Sequence, residues 1–346
     1  MEERLAALLG RPDPVRIGGL DGAALAYVAA ALAQRRGPVL VVVPDAQAHD
    51  AMRLDLATLL PGAALAFPAW PRVQGGTPPD PEVLGARTEA LARLRAARLA
   101  HAAGSPLPLV VVASLPALLQ PVPAPHVIDR AALALAPGQQ RPPSVLLEHL
   151  ALCGYVRVPA VETPGEFAAR GGVVDTWPLG RPGPVRLDFL GDEIETLREM
   201  DPATQRSGAA LPSADLLVLP PERVRTPDRD GGASPPTAHR PPGALVLRAG
   251  PAARADPAAR LGAGAGAEGR QALTRLQAAL DEHPLLEAGP VALGPGGNLD
   301  VEAGGADVVR GAAALDAEAP EPLPALPAAQ PLPHPPPQPP SHAGAR

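Results

Sequence analysis

The chain has 346 residues, enough for two or three domains, but its 49 prolines and 35 glycines indicate that fewer residues are ordered. The formal net charge of −6 provides no overall field that would attract nucleic acid. All 30 residues of the Lys and Arg class are arginines, which excludes a P-loop lysine, a Schiff-base lysine and a lysine nucleophile.

Residues 1–135 show alternating helix and strand patterns. Asp21 is predicted to cap a helix from Gly22 to about Arg36, and the β-branched run Val39–Val43 predicts a buried parallel strand. The other predicted elements of this part are strands at 63–67 and 109–113 and helices at 46–60 and 82–102. Such alternation with apolar strands predicts a parallel sheet that is covered on both faces.

Residues 136–215 are predicted to form a small α+β unit. A helix begins at Ser144 and ends at Gly154, and three antiparallel strands follow it, at 170–177, 185–190 and 193–198. Glycine-containing turns are predicted at 180–183 and 191–192. Alternation along the second strand divides it into an inner and an outer set, namely Val185, Leu187 and Phe189 inside and Arg186, Asp188 and Leu190 outside.

The patterns weaken after about residue 216. Residues 216–318 are predicted to be poorly specified and partly disordered, with a helical pattern only at 271–281. Residues 319–346 are predicted to be a disordered tail, because eleven prolines lie between Pro320 and Pro340. All seven aromatic residues precede residue 190, so the later region has to pack with aliphatic side chains alone or not pack.

The sequence gives little indication of a metal site, a disulfide or a membrane span. The single cysteine, Cys153, excludes an intramolecular disulfide and a multi-cysteine zinc site, and its apolar setting predicts a core thiol. The histidines lack metal-ligand spacing, and no catalytic constellation is found. The acidic start Met1–Arg4 lacks a signal-peptide core, and no apolar run is long enough for a membrane span. These features predict a cytoplasmic protein with no membrane partner.

The most specific motifs lie in Gly165–Pro178, Val185–Arg198 and Asp201–Ser207. They resemble the UvrB-homology module that the excision-repair protein UvrB shares with the N-terminus of transcription-repair coupling factors. The resemblance extends over about residues 10–215. It implies an α/β fold in which a parallel-sheet, degenerate helicase-like domain contains an inserted small α+β domain of the UvrA-binding type, before the Pro/Gly/Ala-rich C-terminal region.

The resemblance also implies a partner and a contact site. In this family the small domain binds UvrA, and the contact positions correspond here to Arg170, Arg186 and Leu190. An arginine offers a planar fork that can pair with a carboxylate through two hydrogen bonds. The family often has an aromatic residue at the last position, where Leu190 is apolar but smaller. Taken without the resemblance, the same strand face is also consistent with an ordinary solvated surface.

A nucleotide site would be expected near residues 17–24. A Walker A loop uses backbone N–H groups, a lysine and a hydroxyl to hold phosphate and Mg²⁺. Here Gly22 matches the motif, but Ala23 stands in place of the lysine and Ala24 in place of the hydroxyl residue. We therefore expect a degenerate site with no bound cofactor and no catalytic residues. This departs from UvrB and agrees with the degenerate module of the coupling factors.

A second part of the resemblance involves Phe67–Pro71, Pro78–Glu82 and the helix that follows. It matches a loop and helix of the coupling factors, although Val73–Gly76 replaces their aromatic and acidic pair. Phe67 and Trp70 are predicted to anchor this loop against the core, and ligand contact is the alternative. Arg87 is predicted to lie on the polar face of the helix, as are Arg93, Arg95 and Arg98.

The predicted function is that of a non-catalytic adaptor that recruits UvrA to nucleotide-excision repair. Complete coupling factors are also expected to engage RNA polymerase and double-stranded DNA, the latter through an ATP-driven translocase. Because this chain has no lysine, the translocase is expected to be absent, either because the chain is a fragment or a truncated product or because those domains reside in another chain. One alternative is a UvrB-like, ATP-dependent helicase subunit. Another is a remnant without a UvrA partner, whose proline-rich tail serves as a ligand.

Overall fold

The computed structural model describes residues 15–18, 22–71, 80–227, 232–249, 285–289, 292–293 and 299–300, together with helical positions between 271 and 280. The predicted helix cap Asp21, the segment Val73–Gly76 and the predicted tail 319–346 lie outside the described residues. Within the described ranges, no helix is both long enough and apolar enough to cross a bilayer.

The elements follow one another in three groups. The first contains β1 (Val15–Gly18), α1 (Gly22–Arg36), β2 (Val39–Val43), α2 (Ala46–Leu59), β3 (Ala64–Phe67), α3 (Pro81–Ala102), β4 (Val110–Ser114) and α4 (Leu115–Leu118). The second contains β5 (Val122–Pro123), α5 (Pro125–Ala131), β6 (Ala132–Leu135), α6 (Pro143–Leu152), β7 (Val156–Arg157), β8 (Glu166–Arg170), β9 (Val173–Thr176), β10 (Val185–Leu190), β11 (Glu193–Met200), β12 (Ser207–Ala210) and β13 (Ala214–Leu217). The third contains α7 (Pro221–Arg225), β14 (Ala233–Ser234), a 3₁₀ helix (Pro236–His239), β15 (Leu245–Ala249), β16 (Leu285–Gly289), β17 (Ala292–Leu293) and β18 (Leu299–Asp300).

The larger sheet is parallel and has the strand order β1-β16-β15-β2-β4-β3. Strands β2 and β4 are buried along their whole length, as central strands of a covered parallel sheet must be. The odd-numbered residues of β2 pack with α1 and α2, whereas Leu40 and Val42 pack with α3. The predicted parallel sheet with two covered faces is therefore confirmed.

Strand β15 was not predicted, since no strand pattern is found beyond residue 216. Leu245–Ala249 lies in the middle of the parallel sheet, between β2 and β16. Its five residues follow Pro241–Gly243 and are too few to show a period, so the sequence pattern carried no signal. Val246 and Leu247 are fully buried, on opposite faces. The chain therefore returns to its first sheet after it has formed the small unit.

The small unit is built around a second sheet with the strand order β12-β11-β10-β9-β8-β7. All its neighbouring strands are antiparallel except β7 and β8. The predicted single strand at 170–177 is wrong, because Gly171 and Gly172 form the turn between β8 and β9. Gly171 has a φ of +60°, and a Cβ on Gly172 would lie 2.7 Å from the carbonyl oxygen of Phe189. Glycine at these two positions therefore permits the tight turn and its close approach to β10.

The small unit is attached at two places. Strands β6 and β13 pair with each other, so the chain enters and leaves the small unit through one two-stranded ribbon. One continuous hydrophobic cluster also joins α3 to the small sheet, and it includes Leu91 of α3 and Leu187 of β10. Gly180, in the loop between β9 and β10, lies against the backbone of α3 at Glu89. Helix α3 therefore packs against both sheets.

Candidate protein-docking site

The outer face of the small sheet is the face that carries Arg186, Asp188 and Leu190 of β10. Residues of this strand are alternately buried and accessible, as the sequence predicts. Leu187 is fully buried, Arg186 and Asp188 are half-buried, and Leu190 is 71 % exposed. The predicted division of β10 into an inner and an outer set is therefore confirmed.

Strand register places Arg170 on the same face. Arg170 of β8 is opposite Val173 of β9, and Val173 is opposite Asp188 of β10. Directly opposed residues in a sheet point to the same side, so Arg170 shares the face of Asp188 and of Leu190. Arg170 itself is exposed. The three residues predicted to contact UvrA, which include Arg186, thus lie on one face.

Arg186 is held inside a hydrogen-bond network. Its Nε and Nη2 donate to the two carboxylate oxygens of Asp175, at 2.7 and 2.9 Å, and its Nη1 donates to Ser207 Oγ at 3.2 Å. The side chains of Arg186 and Asp175 are 17 % and 8 % exposed. Hydrogen bonding to Asp175 raises the pKa of Arg186 above its ordinary value. The arginine fork predicted to meet a partner carboxylate is therefore already paired within the sheet.

Asp175 and Ser207 also belong to this site, although sequence patterns did not indicate either residue. Asp175 lies on β9 directly opposite Arg186. Pairing β9 with β10 in a hairpin would have predicted this contact. The single strand predicted at 170–177 does not define which of its residues is opposite Arg186. Ser207 comes from β12, two strands away from β10, and no local pattern links it to Arg186.

One end of the outer face is covered by the chain itself. A small cluster of Val161, Ala168 and Met200 is buried there, with Trp177 packed against it. Beside this cluster, Nη2 of Arg170 donates to the backbone carbonyl of Pro159, two residues before Val161. The end that carries Leu190 has no such cover among the described residues. The outer face therefore combines a fixed, packed end with an open end.

The loop after β3 is anchored by a buried arginine. Arg87 is fully buried, and its guanidinium carbon lies 4.3 Å from the centre of the Phe67 ring and 5.1 Å from that of Trp70. Its Nη1 donates to the carbonyl of Pro68 at 2.8 Å, and burial lowers its pKa to about 9. The prediction that Arg87 lies on a polar helix face is wrong, because the two rings cover it. These contacts support the interpretation of Phe67 and Trp70 as loop anchors.

The region predicted to be a degenerate nucleotide site is the start of α1. Gly22, Ala23 and Ala24 open this helix and are exposed. Neither alanine side chain offers a donor for phosphate or a ligand for Mg²⁺. Elsewhere in the described ranges, no group of three or more His, Cys, Asp or Glu side chains could hold a metal ion. Cys153 is half-buried beside His149, and burial raises the pKa of its thiol.

Comparisons with known proteins identify relatives of this region. A family model described as the UvrB interaction domain matches residues 133–220, which contain β7 to β13. The chain is 36 % identical over 211 residues to the transcription-repair-coupling factor of Mycobacterium bovis, in an alignment that covers 61 % of the chain and 16 % of that relative. It is 34 % identical over 212 residues to the coupling factor of Myxococcus xanthus, with 59 % and 17 % covered.

UvrB itself is also among the similar proteins. The UvrABC system protein B of Thermus thermophilus is 31 % identical over 96 residues, which cover 28 % of the chain and 14 % of that protein. The resemblance of this chain to a UvrB-like module of the kind found in coupling factors is thereby confirmed. The aligned region spans less than a fifth of each coupling factor, at 16 % and 17 % of their lengths.

Proposed function

We propose that this chain, which carries a UvrB-like module similar to that of transcription-repair coupling factors, recruits UvrA to nucleotide-excision repair of transcription-blocking DNA lesions. The module would act as an adaptor by docking UvrA on the outer face of its small sheet. The match of residues 133–220 to the UvrB interaction domain supports this choice of partner.

The observation that carries this proposal is the exposure of Leu190 on the sheet face that also carries Arg170. Leu190 ends a strand whose other apolar residues are buried, yet 71 % of its own surface is exposed. Burial of a leucine side chain against a partner contributes about 1.5–3 kcal/mol. An exposed arginine on the same face as an apolar anchor is a common arrangement of protein interfaces, in which charges at the rim steer association.

The three predicted contact residues would have different roles. Leu190 would insert into an apolar pocket of UvrA, and Arg170 would offer donors to a carboxylate. Arg186 would mainly fix the geometry of the face, because Asp175 occupies two of its nitrogens. An adaptor role needs no nucleotide, which agrees with the alanines at positions 23 and 24. RNA polymerase and double-stranded DNA would be partners of other segments of a coupling factor.

We also propose that the docking domain is an insertion with boundaries near residues 136 and 215, within a first domain that begins before it. Pairing of β6 with β13 supports these boundaries, because these two strands, at 132–135 and 214–217, hold the start and the end of the small unit together. The return of β15 to the parallel sheet supports the assignment of part of 216–318 to the first domain.

Calorimetric titration of the full chain with purified UvrA tests the docking site. We expect wild type to bind, and Leu190→Ala and Arg170→Ala each to bind about tenfold more weakly. Leu190→Phe is expected to bind more tightly than wild type, because a larger ring buries more apolar area.

Leu152→Ala provides the matched control for this titration. Leu152 lies on α6, away from the outer face, and is 77 % exposed, so its truncation removes similar apolar surface. It should bind UvrA as wild type does. The docking site is wrong if Leu190→Ala and Arg170→Ala retain wild-type affinity, and the UvrA partner is wrong if the folded wild-type chain does not bind.

A further inference from the structure

We propose that Arg198 of β11 is a further docking residue, and that its guanidinium pairs with an acidic side chain of the partner. This role rests on the proposed docking of UvrA to the outer face, since Arg198 lies on that face. The feature behind it is the juxtaposition of Asp175, Arg186 and Arg198 on three adjacent strands.

Strand register places these three side chains in one row. Asp175 of β9 is opposite Arg186 of β10, and Arg186 is opposite Arg198 of β11. Arg186 therefore stands between a carboxylate and a second guanidinium. Like charges directly opposite each other destabilise a sheet. The row contains one positive charge more than its single carboxylate neutralises.

The two carboxylates nearest this row, those of Asp175 and Asp188, are already engaged. Asp175 uses both of its oxygens to accept from Arg186, at 2.7 and 2.9 Å. Asp188 accepts a hydrogen bond from the hydroxyl of Thr196. In the part of the chain that the structure describes, Arg198 has neither a hydrogen bond from its side chain nor an ion pair. Its charge is therefore not paired with a carboxylate among the described residues.

Arg198 is also accessible to a partner. It is half-buried, and the residue opposite it on β12 is Ala210, whose methyl group is too small to cover a guanidinium. The four residues of β12 are exposed. A pair of like charges that no neighbouring residue neutralises is expected at functional sites more than elsewhere in a protein. A carboxylate from a partner would pair with Arg198 through two hydrogen bonds and offset its repulsion with Arg186.

The test is a titration of UvrA with Arg198→Ala and Arg198→Glu in the full chain. We expect about tenfold weaker binding for Arg198→Ala and about a hundredfold for Arg198→Glu. The affinity of Arg198→Ala should also depend less steeply on salt than that of wild type. Its melting temperature should equal or exceed the wild-type value, because the substitution removes the like-charge pair. A purely structural role would instead lower the melting temperature.

Arg157→Glu is the matched control, since Arg157 is an exposed arginine on β7, at the opposite edge of the same sheet. It should bind within about twofold of wild type, which separates a local contact from a change in net charge. If wild type binds UvrA and Arg198→Ala binds equally well, Arg198 has no docking role although UvrA docking stands. Weaker binding together with a lower melting temperature would also overturn the docking role. If wild type does not bind at all, the proposed docking itself is wrong.

Discussion

Replacement of Gly180 by alanine is expected to lower the free energy of unfolding by about 3 kcal/mol. Gly180 has a φ of +77°, a conformation that costs an alanine about 1 kcal/mol. A Cβ at this position would also lie 2.3 Å from the backbone nitrogen of Glu89 and 2.7 Å from its Cα. These are backbone atoms of α3, so neither can rotate away. The loop or the helix has to move, at an overpacking cost of about 1–3 kcal/mol.

Urea unfolding followed by tryptophan fluorescence measures this effect. Trp177 reports on the same loop, because its Nε1 donates to the carbonyl of Arg181 at 3.0 Å. Gly183→Ala is the matched control: Gly183 lies in the same loop, lacks a positive φ, and a Cβ added to it would meet no atom within 4 Å beyond its chain neighbours. It should change stability by less than about 0.5 kcal/mol. Equal stability of the Gly180→Ala and Gly183→Ala variants would show that the loop does not pack tightly on α3.

Three substitutions along β10 are expected to give sharply different losses of stability. Phe189→Ala should cost about 3–5 kcal/mol, because Phe189 is 9 % exposed and belongs to the core cluster that contains Leu187. Leu190→Ala, at the next position, should cost less than about 0.5 kcal/mol, because its side chain is mostly in solvent. The contrast between neighbours follows from strand alternation alone.

Arg186→Ala is expected to lie between these two values, at about 2 kcal/mol. The substitution leaves the carboxylate of Asp175, which is 8 % exposed, without its ion-pair partner. The cost is below that of a fully buried pair, since Arg186 retains some solvent contact. Arg186→Ala combined with Asp175→Ala should recover part of the loss, because no unpaired charge remains. Similar losses for Phe189→Ala and Leu190→Ala in chemical denaturation would contradict the assigned faces of β10.

The parallel sheet was predictable because its strands are continuous apolar runs. Val39–Val43 and Gly22–Arg36 have the boundaries that the sequence predicts, since Gly37–Pro38 separates a β-branched run from an alanine-rich helix. Residues 245–249 form a strand with three buried residues and were missed. Their burial depends on a gap between β2 and β16 that only the folded sheet creates. The burial of these residues cannot be predicted from a run of five residues alone.

The sequence predicted which residues of β10 lie on the outer face, but not how their charges are paired. Alternation placed Arg186 and Leu190 on the outer side of β10, which the structure confirms. It could not show that Asp175 neutralises Arg186, because this contact depends on the register of a hairpin. The burial of Arg87 was missed for a similar reason, since the two aromatic rings around it come from the end of β3 and from the loop after it. Contacts between elements, rather than the elements themselves, escaped the sequence patterns.

Site-specific photo-cross-linking to UvrA tests the docking of the outer face most directly. A photoreactive phenylalanine analogue would replace Leu190 in one variant of the full chain and Leu152 in another, since the two side chains are similarly exposed, at 71 % and 77 %. We expect a covalent product with UvrA from position 190 and none from position 152. A product from position 152 alone, equal products from both positions, or no product from position 190 would contradict docking on this face.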